Sequence, residues 1–104
     1  MEKAAIDHLK DIGPKGLLSH TGSDKSNYKQ RIERHCQWGG SIFEAIDYCQ
    51  REQARDVVIT WLIDDGIAKR VHRNNMLCKD HLYGAIACGK HKVAEYCSIA
   101  VFAA

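Results

Sequence analysis

The sequence predicts a small domain of the α+β class, and two observations support this prediction. Apolar residues recur at helical spacing near the N-terminus and again over residues 51–64, where Val57 and Trp61 belong to a broad apolar face. The tail instead has two short runs of apolar and aromatic residues, 83–88 and 97–102, on either side of a polar connection. Such runs are typical of a β-hairpin. A chain of 104 residues is expected to form a single domain.

The N-terminal third is predicted to contain two helices joined by a loop. The first helix covers residues 2–12, where apolar residues fall on one face, and Gly13-Pro14 is expected to end it. Residues 15–27 are rich in Gly, Ser, Thr, Asn and Asp, a composition typical of a loop. A second helix is expected at about 27–36. Its cap is expected to be one of two residues, Asp24 or Ser26.

The remaining elements follow from changes in composition along the chain. Residues 41–50 are mixed in character and are predicted to be extended or turn-like. The helix over residues 51–64 is followed by Gly66, where a left-handed residue is expected to end it. Residues 66–81 are polar and are predicted to be irregular. The connection between the two strands of the hairpin is expected to be long, over residues 89–95.

Composition and charge disfavour several classes of protein. Hydrophobic residues make up 45% of the chain and charged residues 27%, as in ordinary soluble globular proteins. The formal net charge is +2, and the basic residues are interleaved with acidic ones, which disfavours a nucleic-acid-binding surface. No segment is long and apolar enough to be predicted as a transmembrane helix. The first residues lack the apolar core of a secretory signal, so no signal peptide is predicted in this chain.

Two histidines and two carboxylates in separated segments are the candidate metal ligands: His20, Glu44, Asp64 and His72. Imidazole and carboxylate groups suit zinc and related divalent cations. Their spacing is long and irregular, so surface or hydrogen-bonded histidines are the plain alternative. Asp64 is also expected at the carboxyl end of a helix, where the helix dipole disfavours a negative charge unless a cation lies nearby.

Five cysteines are many for a chain of this length. Cys88 and Cys97 bracket the predicted hairpin loop, and opposed residues on neighbouring strands come close enough for a disulfide if the register is right. In an oxidising compartment we expect this pair to be bridged, and two buried thiols are the alternative. Cys78-x2-His81 and Cys88-x2-His91 also suggest a zinc site, but the interval between the pairs is much shorter than zinc fingers use.

Several segments together resemble a known family. In chain order they are residues 7–16, 19–24, 38–46, 63–66, 72–75 and 87–92. In type and order these segments resemble the CAP superfamily, which comprises cysteine-rich secretory proteins, insect antigen 5 and plant pathogenesis-related 1 proteins and is also known for its SCP domain. The bacterial and protist branch is the most similar. The resemblance spans almost the whole chain, and it implies a domain that is short at its N-terminus and lacks the first helix of the family.

The resemblance implies an α-β-α sandwich around a small antiparallel sheet, with two histidines and two acidic residues in a central cleft. By motif, His20 matches the first histidine of the family and His72 matches the second. Glu44 matches the glutamate, although Phe43 and Ala45 replace the glycine and asparagine that usually flank it. Asp64 matches the second acidic residue, with Asp65 as the fallback.

The resemblance also implies a function. We expect a secreted, extracellular and non-enzymatic binding domain whose cleft holds zinc or another divalent cation, with affinity for lipid or sterol. The alternative is a zinc-dependent hydrolase in which Glu44 is the general base for a zinc-bound water, although no His-Glu-x-x-His motif is present. An intracellular protein with reduced cysteines and no ligand is the third hypothesis.

Overall fold

The computed structural model describes residues 1–37, 39–49, 54–64 and 66–104. Trp38, the fallback ligand Asp65 and the first residues of the helix predicted at 51–64 lie outside these ranges. The described helices and strands are α1 (Glu2–Lys15), α2 (Tyr28–Glu33), β1 (Ile42–Cys49), α3 (Ala54–Ile63), a 3-10 turn (Ala68–Arg70), α4 (Val71–Met76), β2 (Tyr83–His91) and β3 (Glu95–Ala103).

The three strands form one antiparallel sheet in the order β1-β3-β2. The hairpin predicted in the tail is confirmed, but β2 extends to His91 and only residues 92–94 connect the strands. The segment 41–50, predicted to be extended or turn-like, contains the edge strand β1, in which Ile42 lies opposite Ala103. The α+β class expected from the sequence is therefore confirmed, with a sheet of three strands.

Helices cover both faces of this sheet. On one face, Ala5 and Ile12 of α1 and Ile32 of α2 form a fully buried cluster with residues of β3 such as Ile99 and Val101. On the other face, a smaller cluster contains four buried residues: Ala45, Val57, Trp61 and Ala100. The layers are therefore α-β-α, and each element contributes one apolar stripe or strand face to a core. Among the described helices, none is long and apolar enough to cross a membrane.

The first two helices differ in their ends from the prediction. α1 continues through Pro14 to Lys15, one turn beyond the expected end, and Gly16 then ends it in the left-handed conformation with φ 67°. Pro14 is tolerated so near the end because it removes a single helical hydrogen bond. α2 is capped by Asn27, not by Asp24 or Ser26, and Gln30 completes a reciprocal pair of side-chain hydrogen bonds with Asn27.

The register of β2 and β3 corrects the predicted disulfide. Cys88 lies opposite Ser98 and Cys97 lies opposite Gly89, so the two cysteines are one position out of register. Because side chains alternate between the faces of a strand, Cys88 is exposed, whereas Cys97 is only 1% exposed on the buried face. The Ser98 hydroxyl donates a hydrogen bond to the Cys88 sulfur at 3.3 Å. No bridge joins Cys88 to Cys97 in this structure.

Candidate functional site

Glu44 is the buried centre of the first polar group. It lies on β1, and its side chain is 1% exposed. Its Oε1 accepts a hydrogen bond from Nδ1 of His20 at 2.9 Å. Its Oε2 accepts one at 2.7 Å from Arg31, whose side chain is 2% exposed. A carboxylate can remain ionised at such a depth only with a charged partner, and Arg31 on α2 supplies it.

Arg31 also fixes the loop that carries His20. A second nitrogen of its guanidinium, Nη1, donates to the backbone carbonyl of Ser26 at 2.9 Å, just before α2. No role was predicted for Arg31 from the sequence. Nothing in the local sequence distinguishes it from the exposed Arg34, because burial depends on how α2 sits on β1. Arg31 is the site residue that sequence reasoning missed.

The second polar group joins Asp64 to His72. Nδ1 of His72 donates to Oδ1 of Asp64 at 3.0 Å, and the backbone N–H of His72 donates to Oδ2 at 2.9 Å. The backbone N–H of Arg73 adds a longer hydrogen bond of 3.3 Å. Asp64 has left the helical conformation, with φ 50°, so its carboxylate turns from the end of α3 to the beginning of α4.

This placement reverses the electrostatic expectation for Asp64. A carboxylate at the end of α3 was expected to be mildly unfavourable. The carboxylate of Asp64 instead accepts hydrogen bonds from N–H groups at the beginning of α4, where the helix dipole favours a negative charge. Burial by itself raises the pKa of Asp64, but the hydrogen bond from His72 and those from the backbone outweigh it, and the pKa lies below its ordinary value. Asp64 is therefore ionised at neutral pH and orients the His72 ring.

The four predicted ligands thus form two hydrogen-bonded pairs, His20 with Glu44 and His72 with Asp64. The ring of Phe43 lies 6.2 Å from that of His72, centroid to centroid. Phe43 and Glu44 are neighbours on β1 and point to opposite faces of the strand, and each contacts one of the two histidines. Among the described residues, no three His, Cys, Asp or Glu side chains lie close enough to hold a metal ion. A cation shared by all four residues stays a prediction.

A groove of about 380 Å³ adjoins the Asp64–His72 pair. One side is formed by three isoleucines at intervals of four residues, Ile59, Ile63 and Ile67, which are 40%, 55% and 45% exposed. The lining also includes Ile46, Asp47, Tyr48, Thr60 and Trp61. The groove therefore has an apolar wall and a polar edge. The spacing of the three isoleucines is the sequence signal that could have identified this apolar wall, but the same spacing also fits a buried helix face.

Comparison with known proteins gives a likeness in fold. No protein-family model and no curated protein sequence matches the chain. Among solved structures, the chain is similar to an outer surface protein from Borrelia burgdorferi, with a TM-score of 0.77 and 20% sequence identity. The match covers 98% of this chain and 71% of that protein.

These comparisons correct the family assignment made from sequence motifs. No family model supports membership of the CAP superfamily, and the matching structure is described as an outer surface protein. Short motifs such as Asp-Asp-Gly and His-Arg-Asn-Asn consist of residues common in turns and helix ends, so they recur for local structural reasons. At 20% identity, the likeness concerns the fold alone.

Proposed function

We propose that this chain is a non-enzymatic binding domain displayed at the cell surface, and that its groove takes an apolar molecule with one hydroxyl group, such as a sterol. The observation that carries the proposal is the groove itself, with three half-exposed isoleucines ending at the Asp64–His72 pair. The similar structure is that of an outer surface protein, which supports the location.

The apolar wall supports binding by the hydrophobic effect. Small-molecule sites usually have volumes of about 300–1,000 Å³, with mostly apolar linings and a few polar groups. The groove of about 380 Å³ falls within that range. Covering the exposed parts of Ile59, Ile63 and Ile67 with a rigid apolar ligand would stabilise the complex by about 25 cal/mol for each Å² removed from water.

The polar edge determines which head group fits. Asp64 is ionised and can only accept, so Nδ1 of His72 carries the proton of this contact, and in the neutral form of the ring Nε2 then has a lone pair. A lone pair accepts a hydrogen bond from a hydroxyl group and repels a carboxylate. An apolar alcohol is therefore preferred to a fatty acid at neutral pH.

A fluorescent sterol such as dehydroergosterol tests the proposal by titration. Ile63→Lys places a charge on the groove wall and should weaken sterol binding at least 10-fold. The matched control is Ile86→Lys on β2, because Ile86 is 48% exposed and does not line the groove. Absence of saturable binding to the unmodified protein, or an equal loss in both variants, would contradict the proposal. A fatty acid of similar size should bind more weakly than the sterol.

A divalent cation is a second candidate, and one observation favours it. Both His20 and His72 use Nδ1 to contact a carboxylate, which leaves Nε2 on each ring for a ligand. Histidines that bind metals commonly have this arrangement, with the carboxylate orienting the ring from behind. Glu44 and Asp64 would then be orienting residues. Arg31 already neutralises Glu44, and both its oxygens are hydrogen-bonded, so Glu44 is poorly suited to the general-base role in a zinc-dependent hydrolase.

Calorimetry with zinc chloride tests this second candidate. His20→Ala combined with His72→Ala should abolish zinc affinity while leaving the helical circular dichroism spectrum largely unchanged. His35→Ala is the control, because His35 is a partly exposed histidine that pairs with Asp7 and belongs to neither polar group. Unchanged zinc binding in the double variant would remove the cation from the proposal and leave the sterol groove in place.

A further inference from the structure

Two buried histidines hold the segment of residues 17–20, which follows α1 and carries His20. The ring of His8 on α1 contacts the carbonyl of Ser19, and the ring of His91 on β2 contacts the carbonyl of Leu17. Each contact is 2.8 Å long and joins a ring nitrogen Nε2 to a backbone oxygen. A carbonyl can only accept, so both rings carry a proton on Nε2.

The hairpin turn occupies the second ring nitrogen of His91, Nδ1. Its Nδ1 accepts hydrogen bonds from the backbone N–H groups of Val93 and Ala94, at 3.2 and 3.0 Å. A proton added to Nδ1 would point at these two donors and break both contacts. The ring is 3% exposed and packs edge-on against Tyr48, with the centroids 5.3 Å apart. The charged residues around the adjoining surface depression are Lys90, Lys92 and Glu95.

His8, which contacts the same segment from α1, is fully buried. Its Nδ1 has no hydrogen-bond partner among the described residues, so no acceptor there awaits a second proton. Burial, followed by the charge of Arg31, lowers the pKa of His8, while Glu44 and Asp11 oppose this shift. Asp7, Asp24 and Arg34 are the other charged groups that share a small polar cavity with His8.

We propose that His8 and His91 form an acid-sensitive latch, which holds residues 17–20 on the domain at neutral pH and releases them at acidic pH. Protonation adds a charge and a second N–H to each ring. On His91 this N–H points at two backbone donors, and on His8 it finds no acceptor among the described residues. Release of the segment would also separate His20 from Glu44, because His20 is the last residue of the segment.

The direction of the pH dependence follows from linkage. An unfolded histidine titrates near pH 6.5, and burial lowers the pKa of His8 below that value. The latch therefore contributes fully above about pH 6.5 and loses its contribution as the pH falls below that value. Neither His8 nor His91 belongs to the buried Arg31–Glu44 pair, so the body of the domain should remain folded while the segment opens.

Hydrogen exchange at pH 7.5 and pH 5.0, corrected for the intrinsic pH dependence of exchange, tests the latch. The backbone amides of residues 17–22 should lose at least 10-fold in protection at the lower pH, while the amides of α3 keep theirs. His8→Gln with His91→Gln retains a side-chain N–H donor that does not titrate, and it should remove most of the difference. His35→Gln is the control and should leave the loss as in the unmodified protein.

Two results would overturn the proposal. One is equal protection of residues 17–22 at both pH values in the unmodified protein. The other is an undiminished loss in the double glutamine variant. Should that variant not fold, nitrogen-15 NMR of the unmodified protein decides the question. Both His8 and His91 must be neutral with the proton on Nε2 at pH 7.5, and a proton on Nδ1 of either ring would refute the latch.

Discussion

The replacement Arg31→Met tests the buried ion pair on which the first polar group depends. Arg31 and Glu44 are 2% and 1% exposed and lie 2.7 Å apart, so removing the guanidinium leaves a carboxylate buried without its charged partner. Breaking such a pair costs about 3–5 kcal/mol. We expect the lower end, about 3 kcal/mol, because the half-exposed His20 still donates to Glu44. A domain of this size has about 5–15 kcal/mol of stability in total, so the loss is large.

Urea denaturation followed by circular dichroism measures this loss. With a slope of about 1.5 kcal/mol per molar urea, a loss of about 3 kcal/mol moves the midpoint down by about 2 M. Arg34→Met is the matched control, because Arg34 and its partner Asp24 are 46% and 54% exposed and such pairs contribute at most about 1 kcal/mol. Adding Glu44→Leu to Arg31→Met should restore at least half of the loss, since no buried charge remains. An equal loss in Arg31→Met and Arg34→Met would refute the reasoning.

Two further predictions concern Asp64 and the cysteines. Asp64→Asn should lower the free energy of unfolding at pH 7 by about 1–2 kcal/mol, since hydrogen bonds to a charged group are lost. Because the fold lowers the pKa of Asp64, the stabilisation by its carboxylate is present above about pH 4 and is lost as the pH falls through the lowered pKa. The urea midpoints of Asp64→Asn and of the unmodified protein should therefore converge in acid. A difference between them that stays constant down to pH 3 would contradict this account. In the native protein Cys88 should react with a thiol reagent, whereas Cys97 should react only after unfolding. The variant Cys88→Ser identifies the reactive residue. If the Cys88 thiol reacted only after treatment with a reductant, the predicted Cys88–Cys97 disulfide would be supported instead.

The local pattern was sufficient for the elements whose apolar residues repeat without interruption. The first helix, the helix around Trp61 and the tail hairpin were all predicted near their observed places. β1 was less clear, because Glu44 and Asp47 interrupt its apolar run. Glu44 is buried only because Arg31 on another element neutralises it. The contact between these two residues is not visible in the local sequence around either of them. A pattern that treats every carboxylate as solvated therefore predicts this segment only as extended or turn-like.

Four residues of the two polar groups were named from the sequence, but Arg31 and the pairing of the four were not. Each of the expected histidines contacts one of the expected carboxylates, His20 with Glu44 and His72 with Asp64. The single cluster of four was an assumption about how the loops converge. Strand alternation points Phe43 and Glu44 to opposite faces of β1, and each of these residues contacts a different histidine.

The amino-acid order alone determined the class of the domain, the approximate positions of most elements and the residue types able to bind a polar group or a cation. These properties depend on helical and strand periodicity, which is local. Register, burial of charge and the neighbours of each histidine depend on contacts between residues far apart in the chain. Cys88 and Cys97 show the reason most simply: a shift of one position in strand pairing turns one thiol to solvent and the other into the core.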